Sequence, residues 1–163
     1  PLSCRPSFAP PSLPSLGPNV PDGAMGWCGF AGDRRQAKVE VQFQNIDLRE
    51  VNMFHLHCGR PGVLGPILVD FALTGDLAKN LADGTFSVNL TDADIAKTLQ
   101  SGKGAVGTFL VGCPVVPGLP AKVTTLAEAE KIARSGELYF NLHTYGQTYY
   151  GYMRGQLAQT AQP

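Results

Sequence analysis

Three histidines occur in the 163 residues of the chain, and two of them, His55 and His57, stand one residue apart in the stretch MFHLHCG, residues 53–59. The third, His143, lies far along the chain in ELYFNLHTY, residues 137–145. Imidazole is the commonest protein ligand for a transition metal, and three of them suit copper or zinc with one coordination position left open. To share one ion the three rings must leave the same face of one sheet.

Strand geometry makes that possible, because successive side chains point to opposite faces. On the first stretch Met53, His55 and His57 share one face, and Phe54, Leu56 and Cys58 share the other. On the second, Leu138, Phe140 and Leu142 make an apolar face, while Tyr139, Asn141, His143 and Tyr145 make the opposite one. If the two strands are neighbours, the imidazoles converge. Asn141 is then the candidate to orient an imidazole from behind the metal; its alternative is a strand-end hydrogen bond. Met53 and Met153 offer soft sulfur to copper, or fill gaps in the core. Arg154 offers a positive charge that draws small anions toward the site, or else an ordinary ion pair or backbone clamp.

The remaining sequence describes the elements that must hold these residues. Glycine at 19 and proline at 13, with short apolar runs between them, predict a turn-rich all-β fold. Residues 38–46 (KVEVQFQNI) alternate apolar and polar and predict a half-buried strand. Residues 51–58, 66–75, 83–90 and 104–112 read as further strands, and 137–145 and 149–158 as a final pair joined by a tight turn. Two short helices are predicted, at 91–102 behind Thr91 and Asp94, and at 124–136 behind a Thr125–Glu128 capping box and ending at Gly136. About seven strands with two short helical insertions fit a Greek-key sandwich or barrel. Residues 1–23 are dense in proline and predict an extended arm, leaving 24–163 as the β domain.

The four cysteines, Cys4, Cys28, Cys58 and Cys113, form no C-x-x-C pair. In an exported protein their even number predicts two disulfides, although four cysteines allow three pairings. A Cys4–Cys28 bond would tie the arm to the domain; the alternative for Cys4 is a bond to another chain. Cys58 is read as bonded to Cys113, with metal ligation or a free thiol as alternatives. Asn89-Leu90-Thr91 is an acceptor triplet for N-glycosylation. A start at Pro1 rather than Met is read as a processed form, and the protein is expected to be secreted, extracellular or periplasmic.

Thirteen Lys and Arg balance thirteen Asp and Glu, with no basic block, so neither nucleic acid nor a charged membrane surface is an expected partner. No apolar run approaches the roughly 20 residues of a membrane span. There is no Ser-His-Asp order, no Gly-rich phosphate loop and no close carboxylate pair to support hydrolase or nucleotide chemistry.

Two separated blocks resemble the CHRD domain, first named in chordin and found in exported bacterial and algal proteins. The first is an H-x-H-x-G block followed by a G-x-x-G-P turn, supplied here by His55, His57, Gly59, Gly62, Gly65 and Pro66. The second is G-x-x-Y-x-N-x-H-T with an R-G-Q-[LI] ending, supplied by Gly136, Tyr139, Asn141, His143, Thr144, Arg154, Gly155, Gln156 and Leu157. The resemblance runs over about residues 37–159 and implies an immunoglobulin-like β-sandwich or barrel. An acidic residue that family members carry before R-G-Q is Tyr152 here, which makes Tyr149, Tyr150 and Tyr152 candidates for packing or for a place near the metal. Arg154 and Tyr150 are the catalytic candidates.

In chordin the domain belongs to an extracellular antagonist of growth factors, and some bacterial members look linked to superoxide dismutase-like proteins. Two expectations follow. One is a secreted copper-binding domain, with His55, His57 and His143 as ligands and a small oxidant such as superoxide as reactant. The other is a structural or protein-binding extracellular module, with copper or zinc only bracing the fold and assembly or homo-oligomer formation through the N-terminal arm.

Overall fold

A computed structural model describes residues 3–4, 7–8, 23–102 and 123–158 of the chain. Among them run nine strands: β1 (Ser3–Cys4), β2 (Ser7–Phe8), β3 (Gly23–Phe30), β4 (Ala37–Gln44), β5 (Val51–Cys58), β6 (Ile67–Asp70), β7 (Thr85–Leu90), β8 (Leu138–Thr144) and β9 (Met153–Gln156). Three α-helices interrupt them: α1 (Leu77–Leu81), α2 (Asp92–Gln100) and α3 (Leu126–Arg134). The strands form two antiparallel sheets. In the first, β1 and β2 both pair with β3, which is followed by β4 and β7; the second has the order β6-β5-β8-β9.

One apolar core joins the two sheets. Strand β4 buries Ala37, Val39, Val41 and Phe43, and β5 and β8 bury Phe54, Leu56, Leu138, Phe140 and Leu142. Phe54 is where the sheets meet. Its ring centroid lies 5.7 Å from Phe43 and 5.2 Å from Phe86, both on the first sheet, and 4.7 Å from Phe71 and 5.7 Å from Phe140. The contacts to Phe43 and Phe86 are edge-to-face, the arrangement that opposes ring edge to ring face.

The architecture is mostly β, as the turn-rich composition predicts, but it is two sheets and not a closed barrel. The β6 edge is met by a helix instead of another strand: α2 packs beside β6, and the Asp70 N–H donates to Thr98 Oγ1 at 3.0 Å. Both predicted helix starts are in place. Thr125 and Glu128 bond reciprocally at 3.2 and 3.1 Å, and the Thr91 N–H donates to Asp94 Oδ2 at 2.9 Å.

Several elements differ from the sequence expectation. Strand β3 is absent from it, because Gly23, Gly26 and Gly29 in GAMGWCGF depress strand propensity. Gly26 lies so close to Val41 that a side chain there would collide with it. Residues 66–75 hold a strand only as far as Asp70, whose carboxylate then accepts from the Ala72 N–H and starts a single 3₁₀ turn, Phe71–Leu73. Helix α1, one turn behind an Asp76 cap, was not expected. The last strand begins at Met153 rather than 149, and a 3₁₀ turn, Tyr145–Gln147, replaces the tight hairpin. The segment read as an N-terminal arm contributes β1 and β2. The strand expected at 104–112 lies outside the described residues.

Truncating Phe54 removes the ring that bridges the sheets. Phe54→Ala is expected to cost about 3–5 kcal/mol of stability, measured as a lower urea midpoint at unchanged slope.

Candidate metal centre

Strands β5 and β8 are neighbours, and their register sets Met53 opposite His143, His55 opposite Asn141 and His57 opposite Tyr139. The three histidines therefore leave the same face. Each offers a ring nitrogen, and these three atoms all lie within 4.8 Å of one another. The His55 ring centroid is 5.4 Å from His57 and 5.1 Å from His143. A β-bulge refines the placement: across β6, His55 faces Asp70 and Leu56 faces Val69, but His57 faces Ile67, leaving Leu68 as the extra residue. Bulges of this kind re-aim side chains beside functional sites.

This second face of the sheet is covered too, and His55, His57, His143, Tyr139 and Asn141 are all buried. One cover is the segment of residues 59–66. Arg154 holds it by donating from Nη1 to Val63 O at 2.7 Å and from Nη2 to Arg60 O at 2.6 Å. Gln156 Nε2 donates to Gly59 O at 2.7 Å. At its far end Gly65 lies against the Cys58 carbonyl so closely that any Cβ would collide with it. The other cover is the segment of residues 145–152, in which Gly151 has a φ of 84° and packs against the Asn141 amide. Left-handed backbone and close approach together require glycine there.

Both covers reach the histidines through backbone carbonyls. His57 Nδ1 lies 2.9 Å from Gly65 O, and His143 Nδ1 lies 2.7 Å from Thr148 O. A carbonyl only accepts, so each Nδ1 carries the proton and each Nε2 presents its lone pair. Both Nε2 atoms are buried, and neither has a hydrogen-bond partner among the described residues. Such buried acceptors are costly unless something meets them, and a metal ion is the group that an Nε2 lone pair with a bonded Nδ1–H suits. The residues present thus fit an imidazole-bound ion.

Electrostatics keep the two rings neutral. Burial pushes the His57 imidazole down to about 4, partly opposed by its bond to Gly65 O and reinforced by the charges of His143 and Arg154. Burial also lowers His143. A neutral imidazole is the form that ligates. His57 stacks on Tyr139 with centroids 4.8 Å apart and planes 11° from parallel, and the Arg154 guanidinium lies 3.5 Å from the Tyr139 ring centroid. Tyr139 Oη accepts from the Gly65 N–H at 3.0 Å, and burial raises its phenol. Behind His55 stands the buried Asp70, its Oδ1 3.8 Å from His55 Nε2.

The structure brings together His55, His57, His143 and Asn141, as the strand alternation predicts. Asn141 Nδ2 donates to Tyr150 O at 3.4 Å. Arg154 lies on the same side of the sheet, with its guanidinium engaged on the Arg60 and Val63 carbonyls and on Gln156. Tyr150 is exposed, as are Tyr145 and Tyr149, and Tyr152 is partly buried against the core. Met153 is a core residue opposite Leu142, and Met53 is half-buried opposite His143. Cys58 is buried on the core side, away from the imidazoles, and takes part in a disulfide. The side chains of Cys4 and Cys113 lie outside the described residues, although Cys4 is opposite Cys28 in the register of β1 and β3. Asn89 is exposed on β7.

Sequence reasoning missed Asp70 and the two carbonyl partners. Asp70 had one signal, a lone carboxylate closing the apolar run Ile67-Leu68-Val69. Gly65 and Thr148 act through backbone oxygens, which leave no trace in residue type.

Among known families, the model of the CHRD domain matches residues 13–157, nearly the whole of the chain. No curated protein and no solved structure matches it.

Because His57 and His143 bind protons more weakly in the fold than in the unfolded chain, unfolding takes up protons as the pH falls below about 6.5. Their contribution to stability is complete above that pH and is lost progressively below it, for His57 down to about 4. His57 alone accounts for about 3 kcal/mol. Urea unfolding of chelator-treated protein between pH 7.5 and pH 4 should show this slope, and His57→Gln should flatten it.

Proposed function

The chain belongs to the CHRD domain family, and from that premise we propose that it is a secreted metal-binding domain whose His55, His57 and His143 hold one copper ion. The observation that carries this reading is the pair of buried Nε2 atoms on His57 and His143, each on a ring whose Nδ1–H is fixed by a backbone carbonyl. Three imidazoles within 4.8 Å of one another supply the donor set, and imidazole suits copper as well as zinc. A bound copper would supply one-electron exchange with a small oxidant such as superoxide. The chain's own part is to hold three imidazoles in place, to shield them from bulk water under residues 59–66 and 145–152, and to keep a cationic guanidinium nearby on Arg154.

CHRD domains are typically extracellular, and no helix among the described residues is long and apolar enough to cross a membrane. Secretion is part of the proposal, and so is a Greek-key, immunoglobulin-like path. That path is supported by the way the chain alternates between sheets: β3 and β4 in one, β5 and β6 in the other, then β7 back in the first.

A second reading has its own support. Val63, Leu64, Tyr145, Tyr149 and Tyr150 are exposed, and all five lie on the two segments that cover the histidines. Exposed apolar residues grouped in this way suit a protein-binding module, with zinc or copper only bracing the site.

Elemental analysis of the natively purified protein, with electron paramagnetic resonance on the same sample and on His143→Ala, separates the readings. The expected result is about one copper per chain with a nitrogen-ligand signal that the substitution abolishes. Zinc without reactivity toward small oxidants favours the second reading. Neither metal, with the fold of His143→Ala intact, overturns metal binding altogether.

A further inference from the structure

The metal reading leaves open which nitrogen of His55 takes part, and the sheet register answers it. His57 and His143 both commit Nδ1 to a backbone carbonyl, so they face the ion through Nε2. His55 is arranged differently. It sits directly opposite Asp70 in the β5–β6 register, and its Nε2 is the nitrogen on the carboxylate side, 3.8 Å from Asp70 Oδ1. Both side chains are at most 3% exposed. Asp70 is itself fixed: its N–H donates to Thr98 Oγ1 and its Oδ1 accepts from the Ala72 N–H at 2.9 Å. It does not belong to the group of donor atoms that lie within 4.8 Å of one another, so it stands behind the ligands and not among them.

Resting on the three-histidine reading above, we propose that Asp70 is the positioning residue of the site, that its carboxylate receives the Nε2–H of His55, and that His55 binds through Nδ1. The ligand set is then mixed, with one Nδ1 and two Nε2 donors. The arrangement has a charge rationale. A divalent cation on the far side of the His55 ring would add a positive charge facing the buried carboxylate, which favours a carboxylate–imidazole–metal arrangement. A carboxylate hydrogen-bonded to a ligating imidazole also raises its basicity and fixes its tautomer, which is where the 10–100-fold effects of such partners on metal affinity come from. The two atoms stand 3.8 Å apart, and with Nδ1 on the ion the Nε2–H is the group that would close this gap to a hydrogen bond.

The probe is zinc, because it is diamagnetic. Two-dimensional nitrogen–proton spectra of the zinc-loaded, nitrogen-labelled protein distinguish Nδ1-bound from Nε2-bound histidine. One Nδ1-bound ring, lost as a signal in His55→Ala, is expected; three Nε2-bound rings would overturn the assignment. In parallel, Asp70→Asn keeps an acceptor for the Ala72 N–H but removes the charge. Its zinc dissociation constant, measured by competition with a chromophoric chelator, should rise 10–100-fold while the metal-free protein keeps its circular dichroism spectrum and melting temperature. Tight zinc binding by the unsubstituted protein with an unchanged constant in Asp70→Asn refutes the role of Asp70 alone. No zinc or copper binding by the unsubstituted protein refutes the underlying metal reading as well.

Discussion

The packing of Phe54 against Phe43, Phe71, Phe86 and Phe140 is the constraint on which the rest depends. Phe54 and His55 are consecutive on one strand, so a ring locked into the core on one side dictates where the imidazole points on the other. Strand register has a period of two, and a slip of one residue would carry both histidines of β5 into the core and Phe54 out of it. The apolar cluster thus does more than stabilise. It sets the direction of a polar site on the opposite face of the sheet.

From that fixed strand the site is assembled with few side chains. Neighbouring β8 contributes His143 and Tyr139, β6 contributes Asp70, and β9 contributes Arg154. Two backbone carbonyls then choose the tautomers of His57 and His143. Burial does the remaining electrostatic work by keeping those rings uncharged. Each effect is ordinary in size, but all of them favour the same species, a neutral imidazole with a defined lone pair.

Much of this was legible in the sequence, for a physical reason. Alternation along 51–58 and 137–145 separates core from site residues without knowledge of the fold, so His55, His57, His143 and Asn141 could be grouped from spacing alone. The capping pairs Thr91–Asp94 and Thr125–Glu128 were legible because their signals are local. What was hidden depends on close approach or on distant backbone. Strand β3 was obscured by its glycines, which are there because β4 comes too near for a side chain at Gly26. The covering of the histidine face was obscured because Gly65 and Thr148 act through carbonyl oxygens. Asp70 was obscured because its meaning lies in which strand pairs beside it.

Gly65 has one further consequence. Its N–H bonds Tyr139, its carbonyl bonds His57, and its Cα rests on the Cys58 carbonyl, while Arg154 and Gln156 fix the other end of the same segment. Surface loops ordinarily drift in length between relatives, because nothing measures the distance they span. Here something does. One residue inserted or deleted between Gly59 and Pro66 would carry Gly65 off its three partners at once, so the length of this loop is as much a part of the site as the identity of its histidines.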